Sequence, residues 1–318
     1  MTINNQELMV SVIMPLYNME AYVNKSIESV LEQTFLNFEL IIVDDGSTDN
    51  SAKIVSEYSD ERIKYFKQIN SGVSAARNFG ILKAQGRYCA FLDPDDIWLS
   101  NKLEIQISSM EKEEIACTGT LMFYLNYNSD FFGVCGEDVA FRQEDIACGK
   151  LMPFPLSSII VRSDILNAVG LFDEDFLSAE DHELLSRIAN RTEIRTIMQK
   201  LGGYRIHSQS LSNNKYMIQG ILSMYVMHLR ACDKMSVNPS SIFAYIEKSM
   251  SDKKLVNKIK ARHYFRQSGS WFISKNYFKS FVYLTLSLIT NPKYVLVRLF
   301  FRLSLILKNM VQNRVALL

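Results

Sequence analysis

Three carboxylates fall within four residues at Asp93, Asp95 and Asp96, and a second acidic pair stands at Asp44 and Asp45. Crowded carboxylates repel one another, so a cluster of this kind gains most when a cation is near. Hard oxygen ligands on a short turn suit magnesium or manganese, which retain waters and share substrate phosphates. The competing reading is a helix N-cap, with Asp96 set against the helix dipole. At the other pair, a carboxylate ending a strand can accept the N–H of a pyrimidine base or bind a ribose hydroxyl. Alternatively it only organises the Gly46-Ser47 turn. Glu180-Asp181 is a third acidic step; Asp181 can cap the helix-like segment behind it or act as a general base for a hydroxyl. Arg77 lies one turn into a helix that starts at Asn70-Ser71-Gly72, and its fork suits a phosphate or a base edge. His207 is a candidate metal or diphosphate ligand, against the alternative of a structural imidazole.

The elements that must position these groups alternate in kind. Val10–Pro15 is a short apolar run ending at proline, which reads as a buried strand. Val23, Ile27, Val30, Leu31 and Thr34 recur at helical spacing. Glu39–Val43 is a second strand that runs into Asp44, and Ser47, Thr48 or Asp49 can cap the next helix. Ile63 and Tyr65 alternate with charges as in a half-buried strand. Ala76, Gly80 and Ala84 then set small residues every fourth position, a surface for close packing on a sheet. Tyr88–Leu92 is an apolar strand that runs into Asp93, and Leu99, Leu103, Ile107 and Met110 follow as an amphipathic helix. This alternation predicts a mainly parallel sheet covered by helices on both faces, in which ligands bind at the carboxyl ends of the strands. Both acidic turns should therefore meet at one rim. After residue 115 the pattern loosens: Phe123–Phe141 has no clear period and Lys150–Pro155 reads as an irregular loop. Ser158–Arg162 reads as a strand and Leu184–Ile188 as helix. Helical spacing dominates from Gln219, with a helix–turn–helix over Ala261–Tyr294.

The bulk properties exclude several classes. The 318 residues, 48% hydrophobic and 22% charged, describe a folded chain with room for one large domain or one domain plus a smaller appendage. A formal net charge of +1 provides no global field to attract nucleic acid. Cys89, Cys117, Cys135, Cys148 and Cys232 are scattered without a CxxC pair, which fits buried thiols in a reducing compartment. The polar start lacks a signal peptide. The apolar stretches Phe281–Ile289 and Tyr294–Leu307 are each shorter than the ~20 residues of a bilayer span. A cytoplasmic protein, peripheral at the inner face of the cell membrane, is expected. Neither a P-loop, a GxGxxG turn nor a GxSxG elbow occurs.

Four ordered strings, VSVIMPLYN, IIVDDGSTDNS, NSGVSAARNFGILKAQGRYCAFLDPDD and GLFDEDFLSAEDHELLSRIA, resemble the family 2 glycosyltransferases. The resemblance implies an α/β GT-A catalytic domain over residues 1–215, Rossmann-like, with a C-terminal helical extension over 216–318. It implies inverting transfer from a nucleoside-diphosphate sugar, expected to be a UDP-sugar, to a glycan or lipid-linked acceptor in bacterial surface polysaccharide synthesis. Mn2+ or Mg2+ is the implied cofactor. By the same resemblance Pro15 and Tyr17 lie where the first strand meets the nucleotide, Asp44 holds the base, Arg77 lies near the nucleotide and Asp95 contacts ribose. Asp96 binds the metal, Asp181 is the catalytic base, and His207 matches a histidine that follows the acceptor region. The alternatives are a nucleotidyltransferase, which would release pyrophosphate, and a non-catalytic sugar-nucleotide binder, in which Asp96 or Asp181 would be lost. Arg298 and Arg302, among apolar residues from Val295 to Leu305, fit a bilayer surface, the chain's own body or a second subunit equally.

Overall fold

A computed structural model describes residues 8–126, 128–135, 142–176, 178–207, 221–222, 225, 239–273, 277–292 and 295–296. The chain divides into two compact units, Met1–His207 with Leu222–Asn238, and Ser208–Ile221 with Pro239–Leu318. The expected boundary at residue 215 lies outside the described residues.

The first unit opens β1 (Val10–Leu16), α1 (Val23–Leu31), β2 (Phe38–Asp44), α2 (Ser51–Ser56), β3 (Ile63–Lys67), α3 (Val73–Lys83) and β4 (Tyr88–Phe91). These strands line up in the order β3-β2-β1-β4, all parallel. Period-two patterning assigns the faces. Val10, Val12, Met14 and Leu16 of β1 enter one core with Phe38, Leu40 and Ile42 of β2, and Val23, Ile27 and Val30 of α1 cover it. Ile13 points to the opposite face, and Ile41 and Val43 of β2 pack there with Ala76 of α3. The small-residue stripe of α3 explains that approach: a Cβ on Gly80 would lie 2.7 Å from Ile13 Cγ2.

Beyond β4 the sheet continues through β5 (Ile97–Trp98), α4 (Lys102–Glu113), β6 (Cys117–Leu125), β7 (Phe131–Cys135), α5 (Gln143–Ala147), β8 (Ile160–Arg162), α6 (Ser163–Val169), α7 (Glu180–Arg191) and β9 (Ile194–Arg205). The order is β4-β8-β6-β9-β5, with β7 paired to β6. β8 is antiparallel to both neighbours, whereas β6 and β9 are parallel. The segment without readable period therefore contains a hairpin, β6 and β7. β6 is buried on both faces over most of its length, which erases the alternation that would have announced it. Residues 136–141 of that stretch lie outside the described residues. Ser158 belongs to a 3-10 turn, Leu156–Ser158, and the strand starts at Ile160. Cys89 and Cys117 are buried as expected, but Cys135 is only partly covered and Cys148 is exposed; Cys232 lies outside the described residues.

The second unit contains three helices, α8 (Pro239–Ser251), α9 (Lys253–Ile273) and α10 (Tyr277–Thr290), among its described residues. The expected helix pair is α9 and α10, with α9 starting eight residues before Ala261. Residues 297–318, which include Arg298 and Arg302, lie outside the described residues. Among the described residues no helix is long and apolar enough to cross a membrane.

Candidate active site

The parallel register brings both acidic turns to one rim. Leu16 of β1 pairs with Asp44, the last residue of β2, and Ile13 pairs with Phe91, the last residue of β4. Only β1 separates the two turns, so they stand on the order of 10 Å apart. Pro15 is buried within β1, paired with Val43. Tyr17, one residue past the strand, is 45% exposed and is the part of this segment that faces solvent.

The turn after β2 is saturated with donors. Asp44 Oδ1 accepts the Ser47 N–H at 2.7 Å and Oδ2 accepts the Tyr65 hydroxyl at 2.6 Å. Burial and that hydrogen bond push the Tyr65 phenol above its usual range. Asp45 Oδ1 accepts from Gln68 Nε2 and Ser71 N, each at 2.8 Å, and Oδ2 accepts from Gly72 N at 2.9 Å. Gly72 precedes α3 at φ 94°, a conformation that glycine adopts without strain. Asp45 thereby fixes the entry of the helix that carries Arg77. Asp49, not Ser47 or Thr48, braces the start of α2 by accepting the Ser51 N–H at 2.9 Å.

The turn after β4 is closed by the Asp96 N–H on the Asp93 carbonyl at 3.0 Å, with Pro94 at the position that favours its fixed φ. Its three carboxylates diverge. Asp96 turns inward: it is 1% exposed, and Oδ1 accepts the backbone N–H of Arg205 at 2.8 Å. Oδ2 is buried without a hydrogen-bond partner. Burial, then the charges of Asp95 and Asp93, raise the Asp96 carboxyl well above its usual range. Asp96, expected to bind the metal, thus turns both oxygens into the fold. Asp95 instead presents Oδ2 at 2.8 Å from His207 Nε2, where ribose contact was expected.

Arg205, which the sequence did not single out, organises this pair. At the end of β9 it donates Nε to the Asp95 carbonyl at 2.6 Å, Nη1 to the Asn126 carbonyl at 2.8 Å and Nη2 to Ser129 Oγ at 3.0 Å. Its guanidinium lies over the Tyr22 ring at 4.8 Å, and the same ring stands 4.9 Å from the His207 imidazole. Two elements, α1 with its preceding turn and β9, thus hold His207 against Asp95.

Arg77 was expected near the nucleotide. Its fork is instead occupied by carboxylates: Nη2 donates to Asp93 Oδ1 and Nη1 to Glu180 Oε1, both at 2.7 Å, with the guanidinium almost wholly buried. Burial opposes its charge, but the two partners outweigh that and its pKa moves up. The bridge ties the β4 turn to the first residue of α7, next to Asp181. Ala179 enters α7 at φ 63°, a left-handed conformation that costs a non-glycine residue on the order of 1–3 kcal/mol. Asp181 is partly buried against Phe91, Leu156, Ile159 and Leu184, with Oδ1 accepting the His182 N–H at 2.7 Å. Burial, reinforced by the Glu180 charge and opposed by Arg77, pushes its carboxyl up to about 7. A carboxylate tuned to neutrality on a ligand-binding rim can take a proton from a hydroxyl.

Among the described residues no group of three or more His, Cys, Asp and Glu side chains converges as a metal cage. Asp95 and His207, bonded to each other at 2.8 Å, are the pair that would offer a divalent ion one oxygen and one nitrogen donor. The remaining positions suit water and phosphate oxygens, as magnesium and manganese prefer.

The sequence matches the family described as Glycosyl transferase family 2 over residues 11–155. It is 37% identical over 216 residues to WfgD of Escherichia coli, UDP-Glc:alpha-D-GlcNAc-diphosphoundecaprenol beta-1,3-glucosyltransferase, covering 66% of this chain and 82% of that protein. The chain belongs to glycosyltransferase family 2. This family 2 glycosyltransferase is also 33% identical over 229 residues to TuaG of Bacillus subtilis, a putative teichuronic acid biosynthesis glycosyltransferase, covering 67% of this chain and 84% of that one. Other relatives are much longer: the chain spans 44% of the uncharacterized glycosyltransferase RC0461 of Rickettsia conorii, at 33% identity over 278 residues and 84% of this chain. Among solved structures, S. aureus TarS 1-349 in complex with UDP-GlcNAc superposes with a TM-score of 0.59 at 17% identity, covering 88% of this chain and 90% of that one. The mannosyltransferase PcManGT from Pyrobaculum calidifontis in complex with GDP-Man and Mn2+ gives a TM-score of 0.56 at 14% identity, covering 89% and 87%. At these identities the likeness establishes the shared GT-A fold.

Proposed function

We propose that the protein transfers a sugar from a UDP-sugar to an acceptor hydroxyl by a single inverting displacement, in bacterial surface polysaccharide synthesis. The observation that carries this reading is Asp181, a carboxylate held near neutrality and joined through Glu180, Arg77 and Asp93 to the acidic turn at the same rim. In this mechanism Asp181 accepts the acceptor proton as the acceptor oxygen attacks the anomeric carbon on the face opposite the diphosphate. The developing positive charge on the sugar resembles that of glycoside hydrolysis. Tyr17 and the turn carrying Asp44 receive the nucleotide, with Asp44 toward the base. Arg77 acts by fixing Asp93 and Glu180, and Asp96 by tying the turn to β9.

Asp95 and His207, rather than Asp96, would hold the divalent cation, and a bound Mn2+ or Mg2+ would neutralise charge on the departing diphosphate. The donor preference rests on WfgD, named for UDP-Glc, and on TarS, solved with UDP-GlcNAc. The setting rests on WfgD, named for a diphosphoundecaprenol-linked acceptor, and on TuaG, named for teichuronic acid.

The test is donor hydrolysis and transfer with purified protein over a panel of nucleotide sugars, with manganese or with chelator. Release of nucleoside diphosphate from a UDP-sugar, stimulated by manganese and no longer stimulated in Asp95→Asn or His207→Asn, is expected. Pyrophosphate as the product would replace the reading with nucleotidyl transfer, and undiminished turnover in chelator would remove the metal from it.

A further inference from the structure

The net charge of +1 hides a strong asymmetry. From Lys253 to Leu318 there are thirteen Lys and Arg residues and no Asp or Glu, whereas residues 1–252 hold 22 basic and 34 acidic side chains. The acid-free part starts with α9, on which Lys253, Lys254 and Lys258 are exposed.

Helix α10 is inverted relative to a helix that meets only water. Among its described side chains the buried ones are Ser280 and Ser287, seven residues apart, and the Ser287 hydroxyl donates to the Ala261 carbonyl of α9 at 2.7 Å. Ala261 is fully buried, so two small residues allow a close helix contact. The opposite face is apolar and open: Phe278 is 78% exposed, Phe281 69% and Ile289 76%, with Val282 and Leu286 between them. At about 100° per residue these five side chains cover an arc of about 140°, centred opposite the serines. An apolar surface of this extent marks an interaction site. The helix, 14 residues and about 21 Å long, is too short to span the ~30 Å hydrocarbon layer.

We propose that this face of α10 seats on an anionic phospholipid surface. Its apolar stripe would enter the boundary between headgroups and acyl chains, and the acid-free basic segment would draw it to the lipid phosphates. An apolar helix face accompanied by Lys and Arg is the combination that binds such interfaces, and a negative leaflet is the partner that a segment of thirteen Lys and Arg without Asp or Glu fits. A second copy of the chain fits poorly, because two segments of the same positive charge would face each other.

The full chain is floated with vesicles of phosphatidylcholine alone and with vesicles containing about 30% phosphatidylglycerol. Flotation with the anionic vesicles alone is expected, with release as salt rises from about 0.1 to about 0.5 M. Two variants, Phe281→Ser with Ile289→Ser, and Lys253→Glu with Lys254→Glu and Lys258→Glu, should each lower the floated fraction at least about 10-fold. All these positions are solvent-facing, so donor hydrolysis and the melting temperature should stay unchanged. Equal soluble recovery with both vesicle types overturns the proposal, as does undiminished flotation of the apolar variant. A dimer in light scattering that Phe281→Ser with Ile289→Ser dissolves would assign the face to a second copy.

Discussion

The acidic turns after β2 and β4 occupy equivalent strand ends on one rim, yet their carboxylates live in opposite circumstances. After β2, Asp44 and Asp45 meet donors on every oxygen: three backbone N–H groups, a phenol and an amide. After β4, Asp93, Asp95 and Asp96 crowd with Glu180 and Asp181, and burial raises the pKa of Asp93, Asp96 and Asp181. One turn is saturated with donors and holds its own loop in place for the nucleotide. The other holds more carboxylate than its own donors satisfy, which is the condition a divalent cation and a proton-accepting base require. Chemical similarity in sequence therefore does not imply equal roles; the local balance of donors does.

The largest effect should come from the carboxylate-rich side. Asp181→Asn is expected to lower transfer by roughly 10²–10⁴ with donor KM nearly constant, read by steady-state kinetics. In the parent, kcat should fall as pH drops through about 7, because the base must be ionised. The stability sign is the reverse of the usual aspartate. The folded chain keeps a proton that an unfolded aspartate of pKa 3.8 has released, so stability declines as pH rises from about 4 to about 7. Asp181→Asn removes that decline, and its melting temperature should exceed the parent's at pH 8 but not at pH 4. A parental rate in Asp181→Asn, or a pH-independent difference in melting, breaks the contrast.

Next in size, Arg77→Gln strips the shared cation from Asp93 and Glu180 and should cost about 3–5 kcal/mol in denaturant unfolding, as expected for a broken buried pair. On the donor-saturated side, Asp45→Ala leaves the Ser71 and Gly72 N–H groups without their acceptor and should cost about 1–3 kcal/mol. The smallest change is Tyr65→Phe, about 0.5–1.5 kcal/mol, since Asp44 keeps its backbone donor. If Asp45→Ala lowered kcat as much as Asp181→Asn while the fold stayed intact, the first turn would take part in the chemistry and not only in holding the nucleotide.

Much of the catalytic unit was legible residue by residue. The four parallel strands follow from short apolar runs bounded by turn residues, and α3 from its small residues against Ile13 and Val43. Less legible were β6 and β9. β6 is covered on both faces and carries Thr118, Gly119 and Thr120, where Gly119 leaves room for the Phe154 ring. Such a strand shows neither alternation nor a pure apolar run. The inverted face of α10 was hidden for the opposite reason, since an apolar helix reads as buried until its neighbours are known.

Sequence alone determined where the carboxylates stand along the chain and that the strands would deliver them to a common rim, because strand period and turn chemistry are local properties. Tertiary structure decided which way each one turns. Asp96 faces inward because the Arg205 N–H, 109 residues later, waits there, and Asp95 turns to His207, which follows two residues after that contact. Arg77 became a brace once Asp93 and Glu180, 16 and 103 residues away, closed on it. Partners so distant in the chain leave no periodic trace, and the energy of a buried charge depends on them far more than on its sequence neighbours.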